Sequence, residues 1–231
     1  MSISLKQVTL CRDQQPVLHN LTLDLTEQRI ALVGNNGSGK SSLARLLNGL
    51  LQADQGDIEV HRKFPARGVA QMADTVGFIF QNPDHQLIFP TVAEELAFGL
   101  RNQGLSSKDS TLNARQFLLD HNRIEWADRP VHSLSEGQKQ LVCIFSVLIL
   151  KPELIILDEP FSALDLPTRM GLMKWLNQLP QQILMISHDF EFIRDFDRVI
   201  WLKDGHVHMD GPPKIVIDQY LAQCREEPSI C

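Results

Sequence analysis

Apolar residues gather in short runs along the chain, at 3–10, 21–25, 30–33, 57–60, 76–80, 154–157, 183–186 and 199–202. Each run has the length and composition of a strand. The runs at 30–33, 154–157, 183–186 and 199–202 are nearly all apolar, the pattern of strands covered on both faces. Helical spacing separates several of them, notably over 41–51 and 168–179. Strand, helix and strand in alternation predict an α/β fold, a parallel sheet with helices on its faces. The first 60 residues differ, with short strands and turn residues that predict an antiparallel β layer. Residues 84–150 differ again, showing helical spacing over 91–101, 108–121 and 136–150 and no strand-like run. They read as a helical subdomain inserted into one domain spanning 1–231, with 1–83 and 151–231 as the sheet core. The breaks fall at Pro83-Asp84 and Lys151-Pro152, and the tail after Ala222 is expected to fray.

Composition narrows the function. A chain of 231 residues, 43% hydrophobic, buries about three quarters of its unfolded surface and builds a sizeable core. The formal net charge of −6, from 22 basic and 28 acidic residues, argues against a nucleic-acid binder that works by neutralising phosphates. Cysteines at 11, 143, 224 and 231 form no CxxC pair and have no histidine cluster beside them, so a reducing cytosol is the simplest reading. The start, MSISLKQVTL, lacks the basic and apolar stretches of a signal peptide. The longest apolar run, 141–150, broken by Ser146, is half of what a membrane span needs, about 20 residues. Any membrane role is expected to go through a partner.

Two motifs carry chemistry. Gly34-Asn35-Asn36-Gly37-Ser38-Gly39-Lys40-Ser41, followed by Ser42, fits the phosphate-loop pattern GxxxxGK[ST] between a strand and a helix. Glycines let the backbone wrap a phosphate, and the helix start adds a positive dipole end. Lys40 adds a charge between β- and γ-phosphates, and Ser41 offers a hydroxyl to Mg²⁺. Further on, the apolar strand Leu154-Ile155-Ile156-Leu157 delivers Asp158 and Glu159 to its end. Asp158 suits a Mg²⁺ ligand and Glu159 a base or water-orienting group. Alone, that pair reads equally well as a solvated acidic strand end; the phosphate loop favours the catalytic reading.

Between these motifs lies Leu134-Ser135-Glu136-Gly137-Gln138, which resembles the LSGGQ signature of ATP-binding-cassette ATPases. The family's other elements follow in order. Gln81 is similar to the Q-loop glutamine, Ser162-Ala163-Leu164-Asp165 to the D-loop, and His188 in Ser187-His188-Asp189 to the switch histidine. Taken singly, Gln81 and His188 would read as ordinary polar residues at strand ends. The resemblance spans essentially the whole chain. It implies the P-loop NTPase fold of the family, ATP and Mg²⁺ as cofactors, and a head-to-tail dimer, homodimer or heterodimer with a paralogous ATPase. Each ATP would lie between one chain's phosphate loop and the other's Ser135, Gly137 and Gln138. It further implies that Gln81 touches Mg²⁺ and the attacking water, and that His188 bonds the γ-phosphate and orients Glu159.

The chain departs from the family pattern at three positions. Glu136 replaces a glycine of the signature; at an effective dielectric near 20, charges about 8 Å apart repel by about 2 kcal/mol, so its carboxylate must point away or weaken ATP binding. Leu141 stands where an arginine is common. Arg12 occupies the place of the aromatic that stacks on adenine; it either stacks on the purine face or is a solvated arginine.

A finer resemblance lies in Phe80-Gln81-Asn82-Pro83-Asp84-His85-Gln86-Leu87 and in Thr91-Val92-Ala93-Glu94-Glu95-Leu96-Ala97-Phe98-Gly99. These are similar to the ATPase subunits of energy-coupling-factor importers, which take up vitamins and the metals cobalt and nickel. That resemblance implies a peripheral protein at the cytoplasmic face of a membrane, working with a membrane coupling protein and a substrate-capture protein. Glu94 and Glu95 either meet basic residues of the coupling protein or are solvated helix charges. Biotin is the first candidate cargo and a transition metal the second. Competing readings are the ATPase of another importer of the family, a soluble relative acting on DNA or ribosomes, and an ATP sensor without turnover. The last conflicts with the presence of both Glu159 and His188.

Overall fold

The computed structural model describes residues 2–13, 15–161 and 164–226. In chain order these form strands β1 (Ile3–Arg12), β2 (Gln15–Leu25) and β3 (Arg29–Val33), helix α1 (Lys40–Leu47), strand β4 (Gln55–Val60), the short α2 (Val69–Met72) and strand β5 (Val76–Ile79). Three helices follow, α3 (Val92–Asn102), α4 (Ser107–Asp120) and α5 (Glu136–Leu148). The chain closes with β6 (Leu154–Asp158), α6 (Leu166–Leu176), β7 (Gln182–Ile186), α7 (Phe190–Ile193), the strands β8 (Arg198–Lys203) and β9 (His206–Gly211), and α8 (Pro213–Glu226). The described residues divide into two compact units, one drawn from 1–76, 153–159 and 180–231, the other from 77–152 and 160–179.

The first unit holds two sheets. An antiparallel sheet orders β2-β1-β4, with Ile3 opposite Leu25 on one side and Val60 on the other. The second runs β6-β7-β3-β8 in parallel and adds β9 antiparallel to β8. Every residue of β3, β6 and β7 is buried, as their unbroken apolar runs predict for strands with both faces covered. The antiparallel β9 is absent from the sequence expectation of a parallel sheet. It is a hairpin return: Asp204 (φ 50°) and Gly205 (φ 74°) make a two-residue turn that sets Lys203 opposite His206. Its sequence, His-Val-His-Met-Asp-Gly, alternates exposed and half-buried positions and carries little apolar signal.

The second unit is helical apart from β5. Thr91 caps α3 by accepting the Glu94 N–H, and Glu94 returns a bond to the Thr91 N–H at 3.1 Å, closing a capping box. Its core includes Leu96, Leu100, Leu118, Trp126 and Val142. Trp175 of α6 packs edge-on against Phe145 of α5 (5.8 Å) and against His121 at the end of α4 (5.0 Å).

Helix ends differ from the expected ones for local reasons. α1 stops at Leu47 rather than at residue 51, because Gly49 takes a left-handed turn (φ 78°) and the Leu51 N–H closes back on the Arg45 carbonyl at 3.0 Å. α6 starts before 168, because Asp165 accepts the Thr168 N–H at 2.9 Å and Leu166-Pro167 fill the first turn. The chain stays helical past Ala222 to Glu226. Among the described residues no helix is long and apolar enough to cross a membrane.

Candidate active site

Strands β6, β7 and β3 are neighbours and end level with one another: Leu32 pairs with Ile186, and Ile186 with Asp158. Three segments therefore leave the carboxyl edge of the sheet side by side. They are the loop after Val33, the pair Asp158-Glu159, and Ser187-His188. This is where open α/β sheets bind ligands.

The loop from 34 to 41 is held by close backbone approaches. A Cβ on Gly34 (φ 143°) would overlap the Leu202 carbonyl of β8 and lie 2.8 Å from Ser38 Oγ. Gly39 (φ 101°) precedes α1 with no side-chain cap, and the Gly205 N–H donates to the Ser38 carbonyl at 3.3 Å. Lys40 is buried, and its ammonium donates to the carbonyls of Gly34 (2.7 Å) and Asn35 (2.9 Å). Burial pulls its pKa down, against the opposing pull of Glu159 and Asp158. The Ser38 hydroxyl is buried and has no partner among the described residues. An uncapped helix start, a buried hydroxyl with no bond among the described residues and an ammonium resting on two carbonyls are what an anion with several oxygens would satisfy. The residues thus fit a polyphosphate. Asn35, Asn36 and Gly37 are exposed along its rim, and Ser41 and Ser42 are half-buried.

Ser41 Oγ donates to Asp158 Oδ1 at 3.3 Å. Burial pushes the Asp158 carboxyl up, the Ser41 bond lowers it, and the charge on Glu159 raises it again. Glu159 sits in the left-handed region (φ 48°), unusual for a residue with a side chain, and its N–H is tied to the Ile186 carbonyl at 3.0 Å. That turn brings Glu159 Oε1 within 3.2 Å of His188 Nε2. The structure thus brings Lys40, Ser41, Asp158, Glu159 and His188 into one unit. Arg12 is exposed at the end of β1 in the same unit.

Gln81 and the signature belong to the other unit. Gln81 is exposed just past β5. Ser135 accepts the Gln138 N–H at 3.3 Å while Gln138 Oε1 accepts the Ser135 N–H at 3.1 Å, so the turn is a capping box that opens α5. Glu136 is exposed and Gly137 half-buried. Leu141, on the same helix, lines a cavity of about 280 Å³ with His121, Phe145 and Trp175. Of the D-loop resemblance, Ser162 and Ala163 lie outside the described residues, and Asp165 caps α6.

The structure changes the reading of Glu94 and Glu95. Glu94 closes the α3 capping box. Glu95 is buried, and its carboxylate accepts the N–H groups of Ile88 (2.9 Å) and Phe89 (2.8 Å). Burial raises its pKa against those two bonds. Neither is a plain solvated charge, and Glu95 is spent on the loop that presents Ile88, 68% exposed.

Residues 18–162 match the family model described as ABC transporter. The chain belongs to the ABC transporter family. As an ABC ATPase it binds ATP and hydrolyses it to energise transport. It is 44% identical to the biotin transport ATP-binding protein BioM of Rhodobacter capsulatus, over 96% of this chain and 94% of that one. It is 38% identical to the energy-coupling factor transporter ATP-binding protein EcfA1 of Leuconostoc mesenteroides, over 96% of this chain and 84% of that one. Among solved structures it resembles a dimeric ATP-binding cassette in a post-hydrolysis state with ADP and phosphate, at TM-score 0.80 and 25% identity, over 91% of this chain and 98% of that one. The sheet with its antiparallel layer and helical unit is the ABC ATPase fold. It also resembles cbiO1 from Clostridium perfringens, part of the ABC transporter complex cbiONQ, at TM-score 0.80 and 27% identity, over 97% of this chain and 94% of that one.

Proposed function

We propose that this chain is the ATPase subunit of an energy-coupling-factor importer, with biotin as the first candidate cargo. The observation that carries this reading is the 44% identity to BioM along nearly the full length of both chains. The likeness to EcfA1 supports the broader class.

In this reading, residues 34–42 cradle the triphosphate: the loop N–H groups and the Ser38 hydroxyl meet phosphate oxygens, and Lys40 turns from its carbonyls to the β- and γ-phosphates. Ser41 and Asp158 are hard oxygen donors that would hold the Mg²⁺ accompanying ATP, with Gln81 as its sensor; the ion would supply charge neutralisation of the phosphates. Glu159 takes a proton from the attacking water, which displaces ADP and leaves phosphate. His188, already beside Glu159, orients that carboxylate and bonds the γ-phosphate. Arg12 flanks the adenine. Ser135, Gly137 and Gln138 of a second chain close over the γ-phosphate with the start of their helix. The subunit sits on the cytoplasmic face of the membrane, where a coupling protein docks on its helical unit and a capture protein brings the cargo.

Purification of the tagged chain from solubilised membranes tests the assembly. A co-purifying multi-span protein, and biotin uptake lost with Lys40→Ala, are the expected results. Recovery of DNA or ribosomes, or uptake of biotin indifferent to Lys40, would overturn it.

A further inference from the structure

Tyr220, on α8, takes no part in the reading above. Its hydroxyl donates to Asn35 Oδ1 at 3.0 Å, across 185 positions of sequence. Asn35 in turn carries the backbone carbonyl that holds Lys40 Nζ at 2.9 Å and accepts the Ser38 N–H at 3.1 Å. The Tyr220 ring is buried, 6% exposed, and packs against two others: Trp201 of β8 (5.0 Å, 83°) and Phe190 (5.5 Å, 55°). Phe190 opens α7 two residues after His188. One side chain therefore touches both the loop that presents Lys40 and the segment that presents His188. Burial pushes the phenol pKa up to about 12, so the hydroxyl stays a neutral donor at any working pH.

We propose that Tyr220 is a positioning residue of the ATPase site, with its hydroxyl setting the phosphate loop and its ring setting the His188 segment. This rests on residues 34–41 being the triphosphate cradle. The physical reason lies in the loop's composition. Gly34, Gly37 and Gly39 all take positive φ, and such a segment has many conformations to lose when it closes on a ligand. Leu202 packs against it at Gly34, and the Gly205 N–H ties it at Ser38. Tyr220 ties the exposed rim at Asn35, between those two points. A loop already ordered in its binding shape binds more tightly, because less freedom remains to be lost.

The two contacts separate by mutation in the purified full-length chain, read by titration with Mg-ATP and by steady-state hydrolysis. Tyr220→Phe removes the hydroxyl and keeps the ring. It should raise the Kd and KM for ATP threefold to tenfold, with kcat held within about twofold, the size expected for one lost hydrogen bond. Tyr220→Leu removes the ring as well and should lower kcat about tenfold further, because the Phe190 support of His188 is gone. Asn35→Ala cuts the same bond from the loop side, so it repeats the test without disturbing α8. The double variant Asn35→Ala, Tyr220→Phe should bind ATP no more weakly than Asn35→Ala alone. Lys40→Ala, run in parallel, separates the two claims. If Lys40→Ala binds ATP like the parent, the cradle reading fails. If Lys40→Ala loses binding while Tyr220→Phe keeps the parent Kd and KM, or if the Asn35 and Tyr220 penalties simply multiply, the positioning role of Tyr220 is overturned.

Discussion

The phosphate loop and the signature turn both place a helix start where a phosphate is expected, yet they are built oppositely. The loop before α1 is glycine-bent, buried at Gly34 and from Ser38 to Lys40 beneath an exposed rim, and locally unsatisfied: among the described residues the Ser38 hydroxyl has no partner, Lys40 leans on carbonyls, and no side chain caps the helix. The turn before α5 is exposed and complete in itself, since Ser135 and Gln138 cap each other. The first is shaped for a ligand within its own chain. The second is satisfied without a ligand, as the proposed role of meeting a nucleotide brought by another chain requires. In that proposal the divided site would tie hydrolysis to pairing.

Three substitutions sharpen that contrast. The largest effect belongs to Glu159→Gln, which keeps shape and removes the base. Its kcat should fall at least a thousandfold, about 4 kcal/mol of transition-state stabilisation, while ATP binding persists. Steady-state hydrolysis beside equilibrium ATP binding checks this, and an unchanged kcat would remove Glu159 from its role. Next is Gly34→Ala in the phosphate loop. Its Cβ meets the Leu202 carbonyl at a positive φ, so a loss of about 3 kcal/mol in unfolding free energy is expected, read by denaturant titration, with ATP affinity lost too. Smallest in stability is Ser135→Ala in the self-capped turn. Losing one N-cap costs about 1 kcal/mol, about 2–4 °C in Tm for a chain of this size. ATP binding by the single chain should be unaffected while turnover falls. If Ser135→Ala instead weakens ATP binding by a single chain as Gly34→Ala does, the division between the two regions is wrong.

Much of this was legible in the sequence, and unevenly so. The phosphate loop compresses its chemistry into eight neighbouring residues, and the fully apolar runs of β3, β6 and β7 mark strands buried on both faces. Contacts made across long sequence distances left no such trace. Nothing near Tyr220 points to Asn35, and the pairing exists because the sheet returns α8 to the loop. Glu95 has the spacing of a solvated helix charge, and only the fold shows two backbone N–H groups from six and seven residues upstream burying it. The strand β9 hid because its alternating polar residues carry little apolar signal; the Asp204-Gly205 turn was its one available mark. Glu159 was recognisable as a candidate base, but its left-handed backbone, which brings its carboxylate beside His188, was not.

The structure of the Glu159→Gln chain with ATP and Mg²⁺ bears most directly on the divided site. It should contain two copies and two nucleotides, each γ-phosphate reached by Lys40 of one chain and by Ser135 and Gly137 of the other. A triphosphate bound with the 135–138 turns of every copy remote from any phosphate would contradict the account.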